Sequence, residues 1–236
     1  MPLYERADFH RNIERIFKSQ TYQPDEFIMV EEQWSYDKHK SPVDVPGVKY
    51  ILTQDEHTTY IDKKILGSRA AVGDLIVIMS SDDFYSPDYI KIWVEFMEAR
   101  KCNIARFQGH WVYNIIQRNY GYQDNISGGH SVYLRDWALE HYDHNENTLN
   151  KIIMPRTELL KPHIIIIRHT PAGEVGEDGW RPTQKLRGRG HTCSKEATYE
   201  HDADGSWFRK FVDNVTIEDF YVNYGEHAKR EYPCVN

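Results

Sequence analysis

Apolar positions first recur at helical spacing near the start of the chain, where Phe9, Ile13, Ile16 and Phe17 share one face and Asp8 is placed to cap the amino end. That pattern predicts an amphipathic helix. It stops at Gln20-Thr21-Tyr22-Gln23-Pro24, and Glu26 to Val30 then predicts a short buried strand running into Glu31-Glu32. A polar loop is expected over Ser35 to Pro46, a second strand over Val48 to Leu52 and a helix over Lys63 to Ala71. Asp74 to Met79 is a nearly continuous apolar run, which predicts a strand buried on both faces. A helix over Pro87 to Arg100 carries Ile90, Val94 and Met97 on one face, and Asn103 to Phe107 is expected to be another strand.

Strands alternating with helices predict a parallel sheet with crossover helices, whose ligands sit beyond the carboxyl ends of the strands. Two acidic sets fall at such ends: Glu31-Glu32 and Ser80-Ser81-Asp82-Asp83. Later the pattern changes. Trp111 to Gln117 and His130 to Leu134 read as strands of a mixed sheet, with a turn at Gly128-Gly129-His130 and a helix over Arg135 to Tyr142. Residues 143–205 are mostly polar around one strand, His163 to Ile167, and long loops of that kind are lids, binding loops or disorder. A helix over Ser206 to Val212 and a strand over Ile217 to Tyr224 are expected to follow.

Composition narrows the class. The 236 residues suffice for a sizeable core, and no uncharged apolar run approaches the roughly 20 residues of a membrane-spanning helix. A charged share of 28% and an aromatic share of 13% exclude a disordered or fibrous chain. With 29 Lys and Arg against 36 Asp and Glu, the net charge of −7 argues against a protein that coats DNA or an anionic membrane. Cys102, Cys193 and Cys234 lack metal-ligand spacing, and Met1 to Arg11 holds no apolar leader core, so a reduced, cytoplasmic setting is expected.

The order Pro2-Leu3-Tyr4-Glu5-Arg6-Ala7-Asp8-Phe9, then Ser19-Gln20-Thr21-Tyr22, then Phe27-Ile28-Met29-Val30-Glu31-Glu32 resembles the opening of family 2 glycosyltransferases of the GT-A fold. Gly67 through Gly73-Asp74-Leu75-Ile76 into Ser80-Ser81-Asp82-Asp83-Phe84-Tyr85-Ser86-Pro87 resembles the segment that carries that family's Asp-x-Asp motif. The resemblance covers roughly the first 100 residues and thins afterwards. It implies an α/β GT-A chain with a mixed central sheet, whose residues 1–108 bind the nucleotide sugar and whose residues 109–236 hold the acceptor and the catalytic group.

Such enzymes move a sugar from a nucleotide diphosphate to an acceptor hydroxyl, and charge grows on the leaving diphosphate as the bond breaks. A divalent cation, Mn or Mg, lowers that barrier electrostatically. The resemblance assigns Asp82 to the metal, with His227 as a second ligand or a loop anchor, and implies a nucleotide-diphospho-sugar donor, UDP-linked. Nucleotide contacts fall to Pro2, Tyr4, Glu32, Lys64, Ser80 and Ser81. Read without the family, Tyr4 packs, Glu32 is a solvated strand end, Lys64 lies on a solvated helix face and Asp82-Asp83 begins a turn that caps the next helix. An inverting displacement also needs a carboxylate to take the acceptor proton. Asp204, in Glu200-His201-Asp202-Ala203-Asp204-Gly205-Ser206-Trp207, fits that role, and it fits an ordinary helix cap as well. Asp83, Gly129, Asp202, Arg187 and Arg189 are candidate acceptor or diphosphate contacts.

Two departures bear on function. Ser80 stands where the family has the first Asp of its motif, which removes one anionic ligand. The family's first strand normally precedes the Tyr4 position, where only Met1-Pro2-Leu3 stands. Another segment fills that place, the sheet is one strand short, or the chain is trimmed from a longer protein. Alternative readings are a degenerate GT-A fold that binds a nucleotide sugar or glycan, and a transferase acting on hydroxylated DNA bases through the basic stretch around Arg187 and Arg189. An acceptor glycan is the expected partner of the leading reading.

Overall fold

A computed structural model of the chain describes residues 10–39, 47–55, 58–115, 118–141, 163–168, 200–213, 217, 218 and 220. Helix α1 (His10–Ser19) leads to strand β1 (Phe27–Glu32), helix α2 (Gln33–His39), strand β2 (Val48–Thr53) and helix α3 (Tyr60–Ala70). Strands β3 (Leu75–Val77) and β4 (Phe84–Tyr85), helix α4 (Tyr89–Arg100) and the long strands β5 (Ile104–Asn114) and β6 (Asn119–Leu134) follow. Helix α5 (Arg135–His141), strands β7 (Ile164–Arg168) and β8 (Glu200–His201) and helix α6 (Ser206–Arg209) complete the described elements.

These elements form a mixed α/β fold whose strand layer is in two pieces. Strands β1 and β2 pair in parallel, Phe27 opposite Val48. The other sheet runs β3-β6-β5-β7-β4, with β8 on β6. Only β5–β7 is parallel there, because β5 and β6 fold back on each other as an antiparallel pair. Alternation along the strands sorts side chains to two faces. Phe27, Met29 and Met79 pack with Ile13 and Ile16 of α1 and with Ile90, Trp93 and Met97 of α4. Ile76 and Ile78 turn the other way and pack with Ala138 and Trp137 of α5. Helix α3 lies close over β1, where a Cβ on Gly67 would sit 3.4 Å from Val30.

Local chemistry sets the element ends. Thr59 and Asp62 form a capping box at the start of α3, and Lys101 adopts a left-handed conformation (φ 49°) that ends α4. The expected polar loop begins instead as α2, and residues 40–46 lie outside the described part. The two strands expected over Asn103–Phe107 and Trp111–Gln117 are one strand, β5, bulged at Gln108–His110. The expected division at residue 108 falls on that bulge. Gly109 makes it with φ 79°, and a Cβ there would lie 1.9 Å from the Tyr122 hydroxyl.

Gly128-Gly129 is no turn. Both lie within β6 where its register breaks: Arg106 faces Ser131 and Gln108 faces Ile126, so residues 127–130 stand against Phe107 alone. Ile217, Glu218 and Phe220 are helical rather than extended, with the Ile217 amide donating to the Asp213 carbonyl at 2.9 Å. Leu75, Ile76 and Val77 are only half-buried, against the expectation of burial on both faces, because one edge of β3 borders a cavity.

Gly109→Ala is expected to destabilise the fold by ~1–3 kcal/mol, through the left-handed backbone and the displacement of Tyr122. The urea midpoint measures it; an unchanged midpoint would show that the bulge tolerates a side chain.

Candidate active site

The Ser80–Asp83 turn follows the buried Ile78 and Met79 beyond β3, and four anchors hold its shape. Asp83 is 3% exposed, and its two carboxylate oxygens are both engaged, Oδ2 with His130 Nε2 at 2.8 Å and Oδ1 with the Ile167 amide at 2.9 Å. Burial pushes the Asp83 carboxyl up, and the hydrogen bond from His130 pulls it part of the way back. The Ser80 amide donates to the Tyr85 hydroxyl at 2.5 Å, and Asn12 Nδ2 of α1 donates to the Ser81 carbonyl at 2.9 Å. Burial raises Tyr85 well above the usual phenol range, so it stays a neutral hydroxyl. Asp82, between the buried Ser81 and Asp83, is half-buried. Asp83 thus serves as the latch of the turn, its oxygens taken up inside the protein rather than presented to an acceptor.

The carboxyl end of β1 lies buried as well. Glu32 is 1% exposed, with Oε1 2.7 Å from Lys63 Nζ, while Oε2 is buried and has no hydrogen-bond partner among the described residues. Lys64 is 4% exposed and sits 4.4 Å from the Tyr60 ring centroid. The first turns of α3 therefore bury two lysines and present no solvated basic face there. Sequence reasoning singled out Lys64 and passed over Lys63, whose place opposite an acidic strand end was the available signal.

The second acidic set caps α6. Asp202 is 3% exposed and accepts from the Trp207 amide at 2.8 Å and the Phe208 amide at 3.2 Å. Asp204 is exposed and accepts from the Ser206 amide at 3.0 Å, which holds its carboxyl below the usual range. Gly205, between Asp204 and the helix, adopts φ 72° and turns the chain into α6 beside both carboxylates. Trp207 and Phe208 belong to the same apolar cluster as Phe84, Ile165 and Ile167, so the residue after Asp83 and the residues after Asp204 share one core. Tyr120 stacks on Trp207 at 4.1 Å, and its bond to Glu200 pushes its hydroxyl up to about 12.

Of the other expected site residues, Pro2, Tyr4, Arg187, Arg189 and His227 lie outside the described residues, and Gly129 is described only as backbone of β6. Asn12, Tyr85 and His130 were missed as anchors. For His130 the available signal was a histidine opening an apolar strand run directly after two glycines. Among the described residues no group of three His, Cys, Asp or Glu side chains gathers as a metal cage. Mg-type sites commonly use one or two carboxylates plus substrate phosphates, a donor set that Asp82 fits. No helix among the described residues is long and apolar enough to cross a membrane.

The mixed α/β fold, with its braced carboxylate turn beyond a strand's carboxyl end, is of the GT-A type. Residues 1–158 match the Glycosyl transferase family 2 profile, and the chain belongs to that family. No curated protein matches it. Among solved structures it is similar to a CMP:2-keto-3-deoxy-manno-octonic acid synthetase complexed with CTP, at 12% identity and a TM-score of 0.41. That match covers 57% of this chain and 66% of the other, just under two thirds. A second is the 4-diphosphocytidyl-2C-methyl-D-erythritol synthase of Anaerococcus prevotii DSM 20548, at 11% identity and a TM-score of 0.35, covering 68% of this chain and 74% of the other.

The three carboxylates separate in a stability test. Asp83→Ala strands His130 and the Ile167 amide and is expected to cost ~3–5 kcal/mol. Asp202→Ala removes a buried cap and is expected to cost ~1–2 kcal/mol. Asp204→Asn, at an exposed position, is expected to stay within ~0.5 kcal/mol of the parent in urea denaturation. The reverse order would contradict these placements.

Proposed function

We propose that the chain transfers a sugar from a UDP-linked donor to an acceptor hydroxyl with inversion, Asp82 holding a divalent cation and Asp204 acting as general base. The observation that carries this reading is the division of labour within each acidic pair. Asp83 and Asp202 are buried with every oxygen committed, whereas Asp82 is half-buried and Asp204 exposed. Anchoring one carboxylate of each pair fixes the position of the other, which is what positioning catalysis requires.

Mn or Mg, once bound, would neutralise charge on the departing diphosphate. Asp82 would hold it from the protein side, with His227 as the second candidate ligand. Ser80 brings a hydroxyl in place of a carboxylate, so the diphosphate supplies donors that the protein lacks, and ion and nucleotide bind together. Glu32 Oε2, with no hydrogen-bond partner among the described residues, is suited to an N–H of the base, and Tyr4, Pro2, Lys64 and Ser81 are assigned as further nucleotide contacts. Arg187 and Arg189 are assigned to the diphosphate or acceptor. A donor-binding module without turnover is the second reading, favoured by Ser80 at the first motif position.

Calorimetric titration of UDP is expected to show binding in the presence of Mn, little binding of Mn alone, and loss of the Mn-dependent part in Asp82→Ala. Equal binding by parent and variant would remove Asp82 from the site. Asp204→Asn is expected to lower turnover by ~10²–10⁴ with UDP affinity unchanged. Because its carboxyl is held low, Asp204 is deprotonated at neutral pH and gains its proton only below the ordinary carboxylate range. The acid limb of kcat/KM is therefore expected below pH ~4. Binding without transfer across a donor and acceptor panel would favour the module.

A further inference from the structure

Helix α3 lies over β1 in a fixed register. Four residues of helix advance ~6 Å and two residues of strand advance ~6.6 Å, so steps of one turn and of two strand residues keep pace. Gly67 packs over Val30, close enough that a Cβ there would sit 3.4 Å away. One turn earlier in α3 and two residues further along β1 stand Lys63 and Glu32, joined Nζ to Oε1 at 2.7 Å. The capping box of Thr59 and Asp62 starts the helix just before Lys63, whose amide donates to Thr59 O at 3.0 Å, so the backbone beneath the ammonium is held too.

The stability of the fold does not call for this pair. A cation in the first turn of a helix opposes the helix dipole. Lys63 is 3% exposed and Glu32 1%, and the cost of taking two charges out of water is offset by their attraction only where the remaining polar atoms are matched. One is not: Glu32 Oε2 is buried with no hydrogen-bond partner among the described residues. Apolar side chains of similar volume commonly hold two elements together as firmly as a buried ion pair does. Lys63 and Lys64 also line the cavity of about 580 Å³ beside β3, so this side of α3 borders open space as well as β1. What the arrangement suits is a ligand donor at Oε2.

The ammonium on Oε1 decides which donor fits. Glu32 presents one oxygen rather than two. Uracil has a single ring N–H, at N3, between two carbonyls, and matches one acceptor. Guanine sets its N1–H beside an amino group, and two adjacent donors call for both oxygens of a carboxylate. Cytosine carries a lone pair at N3, which faces an oxygen unfavourably. A site rejects most strongly the ligand that leaves a buried polar atom unmatched.

We propose that Lys63 sets base specificity: by occupying Oε1 it leaves Glu32 a single acceptor, which selects uracil, with its one isolated ring N–H, over guanine and cytosine. This role rests on the reading that Glu32 meets the base of the donor nucleotide. Lys63 acts through Glu32 and is a positioning residue.

The test is calorimetric titration of UDP, GDP and CDP, each with Mn, into the full chain. The three share ribose, diphosphate and metal, so the ratios of their affinities report the base alone. The parent is expected to bind UDP at least tenfold more tightly than either of the others. In Lys63→Met, Oε1 is released and the preference for UDP over GDP is expected to fall at least tenfold. Lys63→Met leaves a lone buried carboxylate, so a second variant, Lys63→Met with Glu32→Gln, removes both charges at similar volume and reads the same role where the first fails to fold. Its amide sets a donor beside an acceptor and suits all three bases, whose affinities are expected to come within threefold of one another. Nucleotide binding by the parent without a preference for UDP overturns the proposal. So do ratios unchanged in the variants, which would make the pair a brace between α3 and β1. Failure of the parent to bind any of the three would instead strike the reading of Glu32 as the base contact, and this role with it.

Discussion

A buried carboxylate, Asp83, is the constraint on which the site depends. It sits where the turn after β3 meets β6 and β7, bonded to His130 from one and to a backbone amide of the other. Burying it against its tendency to ionise in water is unfavourable unless both oxygens are matched, and here they are. That pairing fixes the residue before it, Asp82, and the residue after it, Phe84, which roots the turn in the same apolar cluster as Trp207 and Phe208. The two acidic pairs, distant in sequence, are thereby tied to one core.

The same logic recurs at α6, where Asp202 is consumed by helix amides and Asp204 is left at the surface. In both pairs one carboxylate is buried and spent on structure, while its neighbour is half-buried at Asp82 and exposed at Asp204. β1 follows a different pattern, because Glu32 divides its own oxygens between Lys63 and a position with no described partner. Membership of glycosyltransferase family 2 gives these positions a coherent use. Glu32, at the end of β1, and the Asp82 turn, beyond β3, follow strands of separate sheets.

Much of the first half was legible in the sequence because its elements are local. Ile13, Ile16 and Phe17 announce α1 by period, and the β1 and β2 runs are bounded by turn residues. The candidate carboxylates were legible too, since acidic residues at strand ends stand out against apolar runs. What stayed hidden depends on distant partners. Nothing near Asp83 in sequence indicates that His130 and Ile167 will consume it, and Gly128-Gly129 looks like a turn until Phe107 is seen opposite it. The half-burial of Leu75 to Val77 is likewise set by the cavity beside β3, which no apolar pattern within β3 encodes.

The central claim is that Asp82, positioned by Asp83, is the protein's handle on a metal-bridged diphosphate. Manganese anomalous scattering from crystals grown with UDP and Mn tests it most directly. The account predicts one peak, bridging the Asp82 carboxylate and the diphosphate oxygens, with Asp83 still bonded to His130 and Ile167. A manganese peak away from Asp82, or UDP bound in the same pose with no metal beside that carboxylate, would contradict it.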